Sequence, residues 1–112
     1  MQNKPVLYLV GTLCPPELED KFNKWYDSTH VPLLLKSKWC NRVTRYKIAP
    51  VTEGDYPEYL AIYEFTDLQS YSEWRSSSEM EDARTEMADT WKEKTFDIKW
   101  RVIYEPLATW PA

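Results

Sequence analysis

The chain predicts an α+β fold in a single domain, with strands and helices in the order β-α-β-β-α-β. Three observations predict it. Segments with the spacing of strands and of helices follow one another in that order along 112 residues, about one domain's length. The first and third strand segments are apolar on successive positions, as strands in the middle of a sheet are. The second and fourth carry Arg45 and Lys47, or Lys99 and Arg101, on one side, as edge strands do. This is the ferredoxin-like arrangement, a four-stranded antiparallel sheet with both helices on one side. The domain is expected to cover residues 1–112, with an irregular tail at 106–112.

Residues 5–13 read as the first strand, β-formers bounded by Pro5 and by Pro15-Pro16. A helix is expected to start at those two prolines, where a missing N–H costs nothing, with Glu17, Glu19 and Asp20 facing its positive end. Leu18, Phe22, Trp25 and Thr29 form its apolar stripe. Pro32 disfavours a helical Val31, so the helix is expected to end near His30, with one further turn over 33–38. A second strand follows at 41–49, a turn at 50–57 and a third strand at 58–65. Thr66 with Gln69, and Ser78 with Glu81, resemble capping boxes opening the two halves of a helix broken at Ser76-Ser77-Ser78. Met80, Ala83, Met87 and Trp91 form the stripe of its second half. The last strand spans 96–105.

Two helices cover only one face of such a sheet, yet the central strands are apolar on both. A bare second face would be a larger apolar patch than soluble monomers tolerate, so a second copy is expected to cover it in a symmetric homodimer.

Composition narrows the function. Fourteen basic against 18 acidic residues give a net charge of −4, which disfavours a nucleic-acid binder. The longest apolar run, Val6–Val10, cannot span a bilayer, and no membrane partner is expected. With no secretory leader pattern at the N-terminus, a cytoplasmic location is expected. Two Gly exclude a glycine-rich phosphate loop. Cys14, Cys40 and a single His fit no zinc spacing, so neither a metal nor a cofactor is expected, and the thiols are expected to be free. Aromatic residues make up 15% of the chain, enough for a heavy core or for the walls of a pocket.

His30 is the only imidazole. At 100° per residue the stripe centres near about 10°, Tyr26 falls near about 80°, His30 near about 120° and Asn23 near about 140°. Asn23, Tyr26 and His30 therefore flank the buried front of the helix, where an imidazole can titrate near neutrality and transfer protons. The plain structural reading is a histidine that caps the last turn. Asp27 could orient the ring, but at about 180° it reads as a solvated surface acid. Tyr63 sits on a central strand, and its hydroxyl needs a partner if buried. Tyr46, Tyr59, Trp74, Trp91 and Trp100, with Trp25 on the stripe, could wall a flat cavity or simply pack the core. Arg45 and Glu64 could form a cross-strand pair or an anion anchor.

The segment Phe22-Asn-Lys-Trp-Tyr-Asp-Ser-Thr-His30-Val-Pro-Leu33 resembles the EthD-type members of the dimeric α+β barrel superfamily, which carry an aromatic helix ending in a His-x-Pro step. Arg42-Val-Thr-Arg-Tyr46 and Tyr59-Leu-Ala-Ile-Tyr-Glu-Phe65 are similar in character and order, and the resemblance runs from about residue 4 to 106. It implies two sheets closed against each other in a dimeric barrel. It also implies a flat, often aromatic or polyketide-like ligand held between sheet and helices, and cofactor-free chemistry with His30 at the acid/base position. Haem-degrading relatives place a ligand His on the later helix, and residues 67–95 contain none.

The expected function is a small cofactor-independent enzyme, of cyclase, dehydratase, decarboxylase or isomerase type, acting on an aromatic or polyketide-like carbonyl compound. His30 would move the proton, while Tyr26 and Tyr63 hold or polarise an oxygen. Asn23, Trp25, Tyr46, Trp74, Trp91 and Trp100 would bind the substrate. The competing readings are a non-catalytic carrier of an apolar metabolite, a cofactor-free oxygenase of a phenol, and a structural dimer with no open cavity.

Overall fold

A computed structural model describes residues 5–112, so the first four residues of the expected domain lie outside it. Strands β1 (Val6–Leu13), β2 (Cys40–Lys47), β3 (Tyr59–Phe65) and β4 (Asp97–Tyr104) form one antiparallel sheet in the order β2-β3-β1-β4. The dry first and third strands occupy the middle and the charged pair the edges, as their residue patterns predict. The α+β, ferredoxin-like arrangement is therefore the one observed. The tail beyond Tyr104 has no regular structure.

The register assigns each side chain to a face. Val6, Tyr8, Val10 and Thr12 of β1 lie beside Phe65, Tyr63, Ala61 and Tyr59 of β3, all buried beneath the helices. The opposite face carries Leu7, Leu9, Leu60 and Ile62, extended by Val102 and Trp100 of β4. Gly11 is required there: a Cβ on it would come within 2.8 Å of the Pro57 ring and 2.9 Å of the Trp100 indole.

The first helical stretch runs further than Pro32 suggests. A 3-10 turn (Pro16–Leu18) leads into α1 (Glu19–Trp25), then a π-turn (Tyr26–His30), then α2 (Val31–Leu34). Val31 itself is helical, at φ −60° and ψ −47°. In a regular helix the Pro32 ring would strike the carbonyl four residues back and leave it unpaired. The wide π-turn precedes that point, so Pro32 falls in the first turn of α2, where no N–H is needed.

The broken helix is α3 (Leu68–Arg75) and α4 (Ser78–Thr90), but both caps lie one residue earlier or later than the sequence pattern suggests. Asp67, not Thr66, accepts from the Ser70 amide at 2.8 Å, because the Thr66 hydroxyl is engaged by Asn41 Nδ2 at 3.0 Å. Ser77, not Ser78, accepts from the Met80 amide at 3.1 Å and also donates to the Trp74 carbonyl at 2.7 Å, closing the break. One hydroxyl thus serves both helix ends.

The core is a slab of rings between sheet and helices. Phe22, Tyr63, Phe65 and Trp74 are the largest fully buried side chains, and Trp74 is tied to the Leu34 carbonyl by its indole N–H at 3.2 Å. Cys14 and Cys40 are buried free thiols. The Cα radius of gyration, 15.1 Å, exceeds the roughly 13 Å of a compact chain this long, because the tail projects with Leu107 and Trp110 in solvent.

Candidate functional site

A cavity of about 190 Å³ lies between the sheet and α4, beside the π-turn. Tyr26, His30, Tyr63 and Trp74 all line it, so four of the residues singled out in the sequence meet at one place. The remaining predicted residues do not line it. Trp25 stacks on the far side of His30, and Trp91 packs edge-on against Trp25, at 5.5 Å between centroids. Asn23 and Tyr46 line a separate, more open groove with Asp27, Arg45, Lys47 and Tyr59. Trp100 lies on the other face of the sheet, over Gly11, since β4 turns alternate residues away from the helices.

The π-turn positions the imidazole. The His30 ring stacks on Trp25 at 4.5 Å and meets the Tyr26 ring edge-on at 5.0 Å. Its Nδ1 is buried with no hydrogen-bond partner among the described residues. Burial drives its pKa from the usual 6.5 down to about 4, against the charge of Glu86, which pulls upward. The ring is therefore neutral at physiological pH and can accept a proton, rather than being half-charged as its position at a helix end suggests. Glu86 is itself held by the Trp25 indole N–H at 2.8 Å and by the Thr90 hydroxyl.

Asp27 does not orient His30. It binds Arg45 Nη1 at 2.6 Å, while Arg45 Nη2 donates to Asn23 Oδ1 at 2.8 Å. The pair Arg45–Glu64 does not form either: register sets Arg45 opposite Ala61 and brings Glu64 within 4.0 Å of Arg42. The Arg45 guanidinium instead lies 4.4 Å over the Tyr26 ring, bracing the π-turn against β2. Asn23 Nδ2 donates to Tyr59, whose hydroxyl donates to Glu19 at 2.7 Å, continuing the brace.

Tyr26 and Tyr63 share a buried hydrogen bond of 2.6 Å. Burial raises the Tyr26 pKa to about 12 and Tyr63 well above its usual value, so both phenols keep their protons. Only one of those protons is used in the shared bond. The other has no acceptor among the described residues.

The three charged side chains that line the cavity, Arg75, Arg84 and Arg101, were not among the predicted site residues. Each reads in the sequence as an ordinary solvated charge. They converge only because the helix break turns α3 against α4 and because Arg101 pairs with Val10 on the helix-covered face. The apparent edge charge on β4 was the available signal. Among the described residues no group of three His, Cys, Asp or Glu side chains comes together as metal ligands would, and no helix is long and apolar enough to cross a membrane.

Fold and cavity together define a small ferredoxin-like α+β protein with one helix-covered sheet face and one bare one. Its chain belongs to the family described as Domain of unknown function (DUF4286), whose model matches residues 5–102. Among solved structures it is similar to an EthD family protein from Bacillus halodurans, at 19% identity and a TM-score of 0.64, covering 92% of this chain and 98% of that one. It is similar as well to a putative antibiotic biosynthesis monooxygenase from Bordetella bronchiseptica (13% identity, TM-score 0.66, 93% and 98% covered). A Dabb family protein with a ferredoxin-like fold from Mesorhizobium loti gives 16% identity and a TM-score of 0.60, with 93% and 98% covered. These likenesses establish the fold, and an EthD family protein stands among the structural neighbours, as the resemblance in the sequence implied. No protein of curated function matches the sequence.

Proposed function

We propose that the chain is a small cofactor-independent enzyme that moves a proton on an aromatic or polyketide-like carbonyl compound. The observation that carries this reading is a neutral imidazole with a buried, unpartnered nitrogen in the same cavity as a paired phenol with a proton to spare. His30 takes the proton from a carbon next to the carbonyl. The Tyr26–Tyr63 pair donates to the carbonyl oxygen as it gains negative charge, and Trp74 holds the substrate's flat face. The same arrangement serves cyclisation, dehydration, decarboxylation and isomerisation, which all pass through such an enolate.

A second copy covers the bare sheet face in this reading, giving a closed dimeric barrel. Supporting it are the outward Leu7, Leu9, Leu60 and Ile62, and the half-exposed Trp100 and Tyr104 at one edge. The working environment is the cytoplasm.

The test needs no knowledge of the natural substrate. Aryl β-diketones and aryl β-keto esters are incubated with the protein in heavy water, and exchange of the acidic C–H is monitored by NMR. A positioned base gives about 10²–10⁴-fold acceleration over buffer, and His30→Ala, with its circular dichroism unchanged, removes it. Exchange that survives in His30→Ala refutes the assignment of the base. Binding without exchange in the wild type favours the carrier reading, to which the small, ring-walled cavity is equally suited. Oxygen consumption with a phenolic ligand marks the oxygenase instead.

A further inference from the structure

The cavity has two unlike ends. Its floor is Tyr63, Trp74 and Ala83, all buried, while its exposed lining residues are Arg84 and Arg101, with Arg75 half-exposed beside them. The mouth is therefore made of three arginine side chains drawn from three elements, α3, α4 and β4. No Asp or Glu lines the cavity, in a chain that carries 18 of them. Among the described residues none of the three arginines makes an ion pair. Their contacts hold them in place without neutralising them: Arg84 Nη2 donates to the Arg75 carbonyl at 3.2 Å, and the Arg75 guanidinium sits 5.8 Å from the Tyr8 ring centre. Arg101 extends from the position opposite Val10 towards the same Tyr8 phenol.

Three like charges around one opening repel one another, and an acidic protein has many carboxylates that could have offset them. A convergent, uncompensated set of planar forks suits an anion with two oxygens in a plane. The volume behind the mouth limits the size of the group attached to that anion. A cavity of about 150 Å³ is known to admit a benzene ring, so one of about 190 Å³ admits one ring and little more.

We infer that the carbonyl substrate carries one aromatic ring and a carboxylate, the carboxylate held at the mouth by Arg75, Arg84 and Arg101 and the ring lying inward against Trp74 and Tyr63. This deepens the proposed proton-transfer reading and rests on the same cavity, but it concerns binding and can be tested apart from turnover. The positive mouth also favours the negative charge that develops when His30 removes a proton.

The probes are benzoate, its neutral isostere benzamide, and inorganic phosphate, titrated into the full chain while the tryptophan indole signals are monitored by NMR. Benzoate is expected to bind at least tenfold more tightly than benzamide and than phosphate, and to weaken as salt is added. Arg101→Gln and Arg84→Gln are each expected to weaken benzoate severalfold and leave benzamide unchanged. Because both side chains are exposed, their melting temperatures should match the wild type. His30→Ala should keep benzoate affinity within about threefold, well under a tenfold step, so a failed proton-exchange assay leaves this inference standing and a failed benzoate titration leaves the exchange result standing. Equal affinity for benzoate and benzamide, phosphate binding as tight as benzoate, benzoate binding that survives the arginine substitutions, or no binding of any probe would each overturn it.

Discussion

The indole of Trp25 and the imidazole of His30 are stacked, 4.5 Å apart and 22° from parallel, although five residues separate them. On a regular helix five residues advance the direction by about 140°, and the two rings would point apart. The π-turn from Tyr26 to His30 reduces that offset, because its hydrogen bonds close over five residues and the wider turn rotates less per residue. One local irregularity thus shields an imidazole from water and aims it at a cavity. Turns of this kind are rare and concentrate at functional sites.

The first prediction comes from that shielding. An unfolded His30 titrates near about 6.5, the folded one at about 4. Between those values the unfolded chain binds more protons, so folding stability rises with pH across the window and falls as pH drops from about 6.5 to about 4. The contribution is about 3 kcal/mol at most. Urea denaturation of the wild type and of His30→Gln at several pH values checks it. The wild-type curve should drop more steeply over that window than the variant's, and parallel curves would contradict a buried neutral imidazole. The proton-transfer rate should rise with pH near 4 and then stay level through neutrality, since Tyr26 titrates only at about 12.

How much of this was legible depends on range. Strand order was readable because β1 and β3 are apolar on nearly every position, Glu64 excepted, and the charges on β2 and β4 mark the edges. His30, Tyr26, Tyr63 and Trp74, which line one cavity, could be singled out because a lone imidazole and ring residues on central elements are conspicuous. The π-turn was not, because a helical wheel assumes a constant rotation, and Pro32 reads as a stop when it is the start of a new turn. One cap slipped for a tertiary reason, since Thr66 and Asp67 are both capable caps and Asn41 from another strand decides between them, while the other slipped locally, because Ser77 bonds both helix ends. The arginine mouth was hidden because each member is ordinary in its own segment. Only the fold makes three of them neighbours.

Glu86 provides a second prediction. Its carboxylate holds the Trp25 indole N–H at 2.8 Å, and its charge works against the burial that lowers the His30 pKa. Glu86→Gln keeps an oxygen for the indole but removes the charge. The His30 pKa should therefore fall further below the usual histidine value, read from the imidazole C–H signals in an NMR titration. An unchanged or raised pKa would show that Glu86 does not act on the ring. Trp25→Phe, which removes one of the carboxylate's two partners and trims the ring stacked on His30, should cost about 1–3 kcal/mol of stability.

The phenol pair makes a third. Tyr26→Phe or Tyr63→Phe alone leaves a buried hydroxyl without its 2.6 Å partner and is expected to cost about 1–3 kcal/mol. The double variant removes both polar atoms from the same apolar site, so it should cost clearly less than the two single changes added together. A double-mutant cycle by chemical denaturation gives the coupling directly. Additive costs would mean that the two hydroxyls do not depend on each other. Both single variants should slow carbonyl proton exchange, because the spare O–H that meets the oxygen is then lost or misplaced.

The last prediction concerns the sheet's bare face. Leu7, Leu9, Leu60, Ile62 and Val102 point away from the helices, and Leu9 has Ile62 on one side and Val102 on the other. Water against such a face costs about 25 cal/mol for each Å² left uncovered, so a second copy laid against it gains more than any rim contact could supply. Ile62 lies between Leu9 and Thr44 across the two ladders, at the centre of the face, and is already half-buried in the single chain. A carboxylate there would be tolerated by a solitary protomer, since the side chain reaches water, but would be stranded without a partner inside a dimer. Ile62→Glu should therefore convert a dimer into a folded monomer in sedimentation velocity, with its circular dichroism intact. The cavity lies on the opposite face, so proton exchange measured per chain should change little. A wild-type chain that sediments as a monomer at high concentration would remove the second copy from the proposal and leave the cavity and its chemistry untouched.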